Sequence, residues 1–522
     1  MKGSSTGGGA GRRIGVAISG GGYRAAAWGL GALLYLTDAG VNRDVVTASS
    51  VSGGSITNAG LGLLPFRGMR PEDLWAYAAR LAPKLAGNVR AFLGVLVVHL
   101  AAWTTAIVGG GTHRPLLAGI ALGVSAVLSL LLPPLCADAT MASRMVWLYL
   151  DVVAAALALL AFAVGQGWWW LAALVLVGAL LQVRGIVVGW AIGRSLLRVS
   201  NGRARLSDLS ADLDHVLCAC DLHGRHHVYF GTDFVYSFGL GLGSRSSLPL
   251  SAAVQSSANL PGAFAPRPML AGPFRFTGSR YRSPVLALTD GGVYDNMADE
   301  WLLGFGKRTR SFRARAAAIA DPELRAVLEA AAERLERRDP DFVVIANASG
   351  PLGFRFAWTT FVPLLGELMG LFRVKSILYD NGHTTRRRLI VDEFIDRDLT
   401  GILVHISTDP WGVIADGRRV GGSGVRERAD AAAERLRSTP GLDPETTRTP
   451  AGAGTVLYPL GRGKIANLLQ RSYAIACVQA HIWHDLPLVE IPPLAWFEEL
   501  ERGSVGTRSA PSVEPAPSGG EG

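Results

Sequence analysis

The sequence predicts an α/β fold with a mostly parallel central sheet, interrupted by a helical membrane insertion. Three observations carry this. Ile14 to Ile18 and the run at Val45 and Val46 are apolar segments that each pass into a glycine-rich turn and then a small-residue helix pattern. Val285 to Leu288 repeats the apolar strand and stops at Thr289-Asp290-Gly291-Gly292. Between these blocks, from Ala91 to Trp190, four apolar stretches follow one another with little else between them.

A chain of 522 residues has room for more than one folding unit. Hydrophobic residues make up 49 % and charged residues only 18 %, and mean hydropathy is +0.27, which is more apolar than a wholly soluble protein. Lys and Arg total 51 against 42 Asp and Glu, a net charge of +9. Many of the basic residues flank apolar runs, so the excess points to anionic lipid and away from nucleic acid. Cys136, Cys218, Cys220 and Cys477 show no paired CxxC spacing. Neither a zinc site nor a disulfide framework is expected, no cofactor is implied, and a reducing cytoplasm is the default. The opening MKGSSTGGGAGRR lacks an apolar core and reads as a flexible leader over 1–13, without a signal peptide.

The segment Thr47 to Ser55, TASSVSGGS, supplies the candidate nucleophile. A serine on a sharp strand-to-helix turn exposes its Oγ at the carboxyl end of the strand, and the following amide can serve an oxyanion. Ser52 occupies that position, and Gly53 and Gly54 allow close approach of helix and substrate. The usual pattern has glycine two residues before the serine; Ser50 stands there instead. Upstream, Ser19-Gly20-Gly21-Gly22-Tyr23-Arg24 places convergent N–H groups at a helix start. Its spacing fits neither GxxxxGK[ST] nor GxGxxG, which argues against a phosphate loop. A right-handed crossover would set the two strands parallel and bring both loops to one sheet edge. The amides of Gly20, Gly21, Gly22 and Gly53 are then the expected oxyanion hole. Arg24 is a candidate for an anionic head group, the alternative being an ordinary solvated side chain.

The apolar stretches are Phe92–Val108, Pro115–Leu135, Met145–Val164 and Trp168–Val188, each near the roughly 20 residues of a spanning helix. The second and third read as the cleanest; the first carries His99, the fourth Gln182 and Arg184. If both flanks build one site the chain must return to the side it left, so two or four spans are expected. Arg80, Lys84 and Arg90 before the spans and Arg194, Arg198, Arg203 and Arg205 after them put the flanks in the cytoplasm, beside the plasma membrane. Trp168, Trp169, Trp170 and Trp190 suit interfacial anchoring. His99 and Arg184 mark a polar pathway, unless Arg184 simply snorkels.

Asp212 to Gly231 predicts two strands joined by a His/Gly turn, with His223, His226 and His227 in a solvated turn in preference to a metal site. Cys218 and Cys220 share a core face. Leu250 to Pro266, LSAAVQSSANLPGAFAP, predicts a short helix broken at Pro261-Gly262. Asp290, at a strand end before two glycines, can take the Ser52 Oγ proton and return it to a leaving group, although a plain type I turn explains the same residues. Gly20 to Arg24, Ser52-Gly53-Gly54, SSANLPGAFAP and Asp290-Gly291-Gly292 together resemble, in order, the motif blocks of the patatin-like phospholipases. The resemblance covers Ile14 to Ala59 and about Asp212 to Met297. It implies an α/β/α sandwich, a Ser52–Asp290 dyad without histidine, a glycine oxyanion loop, no metal, and hydrolysis of acyl esters in phospholipids or glycerolipids. The organisation expected is a first part of that domain over 14–90, the insertion over 91–190, a second part with a C-terminal extension over 191–502, and a disordered tail over 503–522.

Beyond that, Phe312 to Arg338 predicts one charged helix, Asp341 to Ala346 and Gly401 to Ser407 buried strands, Phe361 to Leu378 a core or interfacial segment, Gly422 to Arg437 a polar helix and Ile465 to Trp483 a packed one. His383, His405, His481 and His484 keep a histidine-containing triad in play. The short link from the glycine loop to Ser52 favours the dyad, because α/β-hydrolases carry that loop far upstream. The expected function is a membrane-bound serine acyl hydrolase acting on membrane lipid. The alternative is a catalytically silent membrane scaffold or transport protein, to which Ser50, His99 and Arg184 point.

Overall fold

The structure, a computed structural model, describes residues 12–133, 141–201, 203–244, 247–277, 283–350, 365–396, 399–448 and 459–505. The leader and tail thus lie almost wholly outside the described residues.

The chain opens with β1 (Ile14–Ile18), α1 (Tyr23–Asp38), β2 (Val45–Val51) and α2 (Gly54–Leu61), and β1 and β2 are parallel neighbours as expected. α3 (Pro71–Ala86) precedes the insertion, which supplies α4 (Val89–Gly111), α5 (Pro115–Leu131), α6 (Met141–Ala163) and α7 (Trp169–Arg194). The chain returns through β3 (Asp214–Asp221), β4 (His226–Phe230), β5 (Phe234–Ser237), β6 (Gly241–Ser244), α8 (Leu250–Ser257), β7 (Arg267–Leu270) and β8 (Val285–Asp290). α9 (Glu300–Leu303), α10 (Phe305–Ala318) and α11 (Pro322–Arg338) lead into β9 (Phe342–Asn347), α12 (Leu365–Ile395) and β10 (Gly401–His405). α13 (Pro410–Val420), α14 (Ser423–Arg437), α15 (Pro444–Arg448), α16 (Lys464–His484) and α17 (Leu494–Glu501) complete it.

The central sheet runs β10-β9-β1-β2-β3-β4-β5-β6, with β8 on β3 and β7 on β8. It is mixed, not mostly parallel: β10 through β3 are parallel, and every pairing beyond β3 is antiparallel. The cause is local. The turn 222–225 between β3 and β4 is too short for a parallel crossover, so the second half of the sheet must fold back on itself. Helices cover both faces. One core joins Val16, Ile18, Leu217 and Val344 to α1 and α16; the other joins Val51, Val216, Cys218 and Ile345 to Trp301, Phe305, Phe312, Leu328 and Leu335. α16 is pressed so close to α1 that a Cβ at Gly31 would lie 2.5 Å from the Leu469 carbonyl oxygen. The single helix expected over 312–338 is two, α10 and α11. Asp321 caps α11 through the Glu323 and Leu324 amides at 2.9 and 3.3 Å, and Pro322 starts it.

Among the described residues, three helical segments, Pro71–Gly111, Ser143–Ala163 and Trp169–Val199, are long and apolar enough to cross a membrane, and α5, at 17 residues, is shorter. α5 packs on α4 as a hairpin partner and α6 packs on α4, α5 and α7. The chain is therefore an α/β protein with a membrane-embedded helical bundle. Its polar centre is Asp151, in a stretch that looks clean at low resolution of hydropathy. The Asp151 Oδ1 accepts from Trp103 Nε1 (2.8 Å) and Ser125 Oγ (2.6 Å), and Oδ2 accepts from Ser129 Oγ (2.6 Å). His99 Nε2 lies 3.0 Å from Ser129 Oγ and its Nδ1 2.7 Å from the Val95 carbonyl. His99, Ser125 and Ser129 are fully buried. The cluster is closed on itself and ties α4, α5 and α6 together. Hydrogen bonds between membrane helices are worth on average about 0.6 kcal/mol each. Asp151→Leu, which removes three acceptor contacts, should lower bundle stability by about 2 kcal/mol in detergent unfolding; an unchanged unfolding midpoint would rule out the staple.

Candidate active site

Ser52 follows the last residue of β2 and takes φ +52°, the left-handed region that non-glycine residues seldom enter. Holding a serine there costs about 1–3 kcal/mol and requires surrounding structure to fix it. That structure is present. The Ser52 N–H donates to Ser257 Oγ at 3.0 Å, and its carbonyl accepts the Ser55 N–H at 3.1 Å. A Cβ at Gly53 would lie 1.9 Å from the Gly22 carbonyl oxygen, and one at Gly54 2.6 Å from the carbonyl oxygens of Ile18 and Ser19. Only glycine lets the turn seat against the glycine loop. Ser52 is half-buried while Val51, Gly53 and Gly54 are buried.

The glycine loop is held from three sides. The Ser19 N–H donates to the Ala346 carbonyl (3.0 Å), and Ser19 Oγ accepts the Ala348 N–H (2.8 Å). The Gly20 N–H donates to the Asn296 carbonyl at 2.8 Å, so this one of the expected oxyanion amides is already engaged. A Cβ at Gly20 would stand 3.2 Å from the Ser52 Cβ, which puts the loop directly beside the turn. Gly21 and Gly22 have φ +142° and +63°. Arg24 is not a solvated residue. It is 8 % exposed, and its guanidinium lies 3.3 Å from where a Gly21 Cβ would be and 3.2 Å from where a Gly350 Cβ would be.

Asp290 reaches the same place from the opposite direction. β3 carries β4 along one edge; on its other edge β2 pairs up to Val51 opposite Cys218, and β8 takes over with Asp290 opposite Ala219. The two strands meet head-on at adjacent residues of β3, carboxyl end to carboxyl end. Gly291 fills the junction, where a Cβ would come within 2.2 Å of the Cys218 carbonyl oxygen and 2.6 Å of a Val51 methyl. Asp290 is 1 % exposed. Its carboxylate accepts the Gly292 N–H at 2.8 Å, and its own N–H donates to the Asn259 carbonyl at 3.0 Å. Behind it, Asp295 accepts the N–H groups of Met297, Ala298 and Glu300 at 2.9, 3.1 and 2.9 Å and faces Arg386 at 3.5 Å. Burial pushes the Asp295 carboxyl up, but Arg386, a hydrogen bond with Asp299, His227 and the Glu300 N–H outweigh it and hold it below the ordinary carboxylate value.

Several residues that pattern reading passed over complete the site. Ser257 Oγ donates to the Cys218 carbonyl (2.6 Å) and lies 2.8 Å from Ser55 Oγ, which lies 3.1 Å from Ser50 Oγ. Asn58 Nδ2 donates to Ser50 Oγ (2.9 Å), and Asn58 Oδ1 faces His215 Nδ1 (2.8 Å). Ser50 thus sits in a fully buried hydrogen-bonded cluster under the turn and does not crowd it. Burial pushes His215 down to about 4, the nearby Asp212 raising it and Arg338 lowering it, so it is neutral at pH 7. Asn296, whose carbonyl accepts the Gly20 N–H, donates from Nδ2 to Ser349 Oγ at 2.7 Å and so joins the glycine loop to the segment after β9. The short polar side chains of the SSANLPGAFAP block were the available signal.

The candidate histidines lie elsewhere. His405 ends β10, three strands from β2 and so about 14 Å away, and contacts Arg387 at 3.3 Å. His481 and His484 face the Leu486 and Gly401 carbonyls at 2.9 and 2.8 Å, and burial lowers both. The His383 side chain lies outside the described residues. His227 is not in a solvated turn: it is 4 % exposed, with Nδ1 2.7 Å from the Tyr229 hydroxyl and its ring against Tyr294.

No protein-family model matches this chain, and no curated protein matches it either.

Two measurements check this geometry. Ser257→Ala leaves the Ser52 N–H without its acceptor and should cost about 1–3 kcal/mol, read as a lower melting temperature. Asp295, held low, contributes stability that is present above the ordinary carboxylate pKa and lost as pH falls through its folded value. Asp295→Asn should therefore lower the melting temperature at pH 7 and flatten its decline on acidification; a parallel decline in both proteins would refute the assignment.

Proposed function

We propose that this chain is a membrane-bound serine acyl hydrolase of the patatin-like kind, acting on ester-linked acyl lipids. The observation that supports the reading is the head-on meeting of β2 and β8 on one edge of β3, with Ser52 and Asp290 at the converging strand ends.

In this reading Ser52 Oγ attacks the ester carbonyl carbon while its proton passes to the Asp290 carboxylate. The carbonyl oxygen becomes an oxyanion held by backbone N–H groups of Gly21, Gly22 and Gly53. That is one fewer than the glycine motif suggests, because the Gly20 N–H is donated to Asn296. Collapse expels the alcohol, which takes the proton from Asp290 and leaves an acyl-Ser52 ester. Water then attacks that ester, giving its proton to Asp290, and free acid and Ser52 Oγ–H are restored. No histidine is required; the described candidates engage other groups. Arg24, folded over the glycine loop, supplies positive charge for an anionic head group. The basic flanks of the bundle put this domain on the cytoplasmic side.

The test is labelling of the detergent-solubilised chain with a serine-directed fluorophosphonate. Wild type should label, and Ser52→Ala and Asp290→Asn should each lower labelling and lipid-ester turnover by roughly 10³-fold or more. Absence of labelling in folded wild-type protein would favour the silent membrane scaffold instead.

A further inference from the structure

The seam between α7 and the segment that follows α8 holds an arrangement that the catalytic reading does not use. Residues 260–266 read Leu-Pro-Gly-Ala-Phe-Ala-Pro, with no charged or polar side chain. Gly262, Ala263 and Pro266 are exposed. Two side chains of the membrane helix reach out to this segment: Arg184 Nε donates to the Ala263 carbonyl at 2.6 Å, and Gln182 Nε2 to the Pro266 carbonyl at 3.4 Å. Just before it, α8 packs tightly on α7 through Gly185 and Gly189, where a Cβ would lie 2.8 Å from Gln255 Nε2 and 3.0 Å from Gln255 Cβ. A small-xxx-small pair is how membrane helices admit a close neighbour.

The tryptophans of α7 give a depth scale. Trp168, Trp169 and Trp170 are exposed at one end, and Trp190, under the Arg194 guanidinium, marks the other. At 1.5 Å per residue Trp190 lies about 32 Å along the axis from Trp169, close to the thickness of a hydrocarbon core. Gln182 and Arg184 fall roughly 9–12 Å short of Trp190 on the same scale, inside the near boundary. The residues they bond are drawn to that depth with them.

Part of the segment's backbone also meets the condition that lipid imposes on irregular chain, namely that polar groups find partners within the protein. Pro261 and Pro266 have no N–H. The Ala263 and Phe264 N–H groups both donate to the Leu260 carbonyl, at 3.1 and 3.0 Å. The carbonyls of Ala263, Ala265 and Pro266 accept from Arg184, Asn259 and Gln182.

We infer that residues 260–266 are set into the near leaflet of the bilayer at acyl-chain depth, a second membrane contact of the α/β part beyond the bundle itself. Asn259, next to the segment, accepts the Asp290 N–H through its carbonyl and donates to the Leu288 carbonyl at 3.0 Å. If the proposed function holds, the site therefore opens toward lipid chains and takes its ester from the leaflet, without a soluble intermediate.

The test needs no turnover. In a full-length Cys136→Ser chain, whose other three cysteines are buried, Ala263→Cys and Pro266→Cys would each carry a polarity-sensitive fluorophore. The protein would be placed in phosphatidylcholine/phosphatidylglycerol vesicles, with Ser423→Cys on exposed α14 as the control. Both reporters should be quenched at least twofold more by a nitroxide on acyl carbon 5 than by aqueous iodide, and the control should show the reverse. Iodide quenching equal to the control would overturn the inference, as would quenching only by a head-group nitroxide. Acyl-chain quenching in a protein that fails to react with fluorophosphonate would leave the inference standing while removing the catalytic reading.

Discussion

The arrangement depends on how β3 divides one of its edges. β2 runs parallel along its first half and stops opposite Cys218; β8 runs antiparallel along its second half and stops opposite Ala219. Two strands that end face to face on one edge leave no room for a side chain between them, and Gly291 is the consequence; Gly53 answers a second close approach, that of the glycine loop. Each would drive a Cβ into a backbone oxygen, that of Cys218 or Gly22. Backbone cannot step aside as a flexible side chain can, so these positions tolerate nothing larger. The same crowding brings the serine turn, the glycine loop and Asp290 to one point of the sheet.

Crowding alone does not hold a serine in the left-handed region. The polar layer beneath the turn does that, and it is made of short side chains because only these fit between α2, α8 and β3. Ser257 Oγ accepts the Ser52 N–H and donates its hydroxyl to the Cys218 carbonyl, while Ser50 bonds both Ser55 and Asn58. Such a network is worth keeping only if nearly every member is paired. It explains how serine at position 50 can replace the glycine that a nucleophile turn usually carries there: its hydroxyl has partners, and its side chain points away from the reacting face.

The strand–glycine–helix units around Gly20 and Ser52, and the strand ending at Asp290, were legible because each is a local pattern whose period and turn residues agree. The sheet's change from parallel to antiparallel at β3 was less so, since direction is set by the brevity of the turn at 222–225 and not by strand composition. The break between α10 and α11 lay in plain view as Asp321-Pro322, a cap followed by a helix-starting proline, but the charge pattern on either side runs through it. Asn58 and Asn296 carried no signal of spacing at all, and Ser257 only its place in the SSANLPGAFAP block; what makes them matter is a neighbour far away in the chain. Asp151 was visible as one acid in an apolar run, and hydropathy averaged over a span hides it.

The polar residues of the bundle fall into two groups, and the difference bears on what the membrane part is for. Those around Asp151 bond to one another within three helices, with His99 and its serine partner shut away from solvent. A transport pathway needs polar groups that exchange partners as cargo or protons pass; a closed set that is fully paired and buried holds helices together. Gln182 and Arg184 behave otherwise. Their side chains leave the bundle and bond carbonyls a few residues from Asn259, which in turn holds the Asp290 amide. The polarity that a span keeps at a cost in lipid is thus directed at the candidate site. In the proposed reading, this is how a membrane anchor would serve a site that takes its ester from the bilayer.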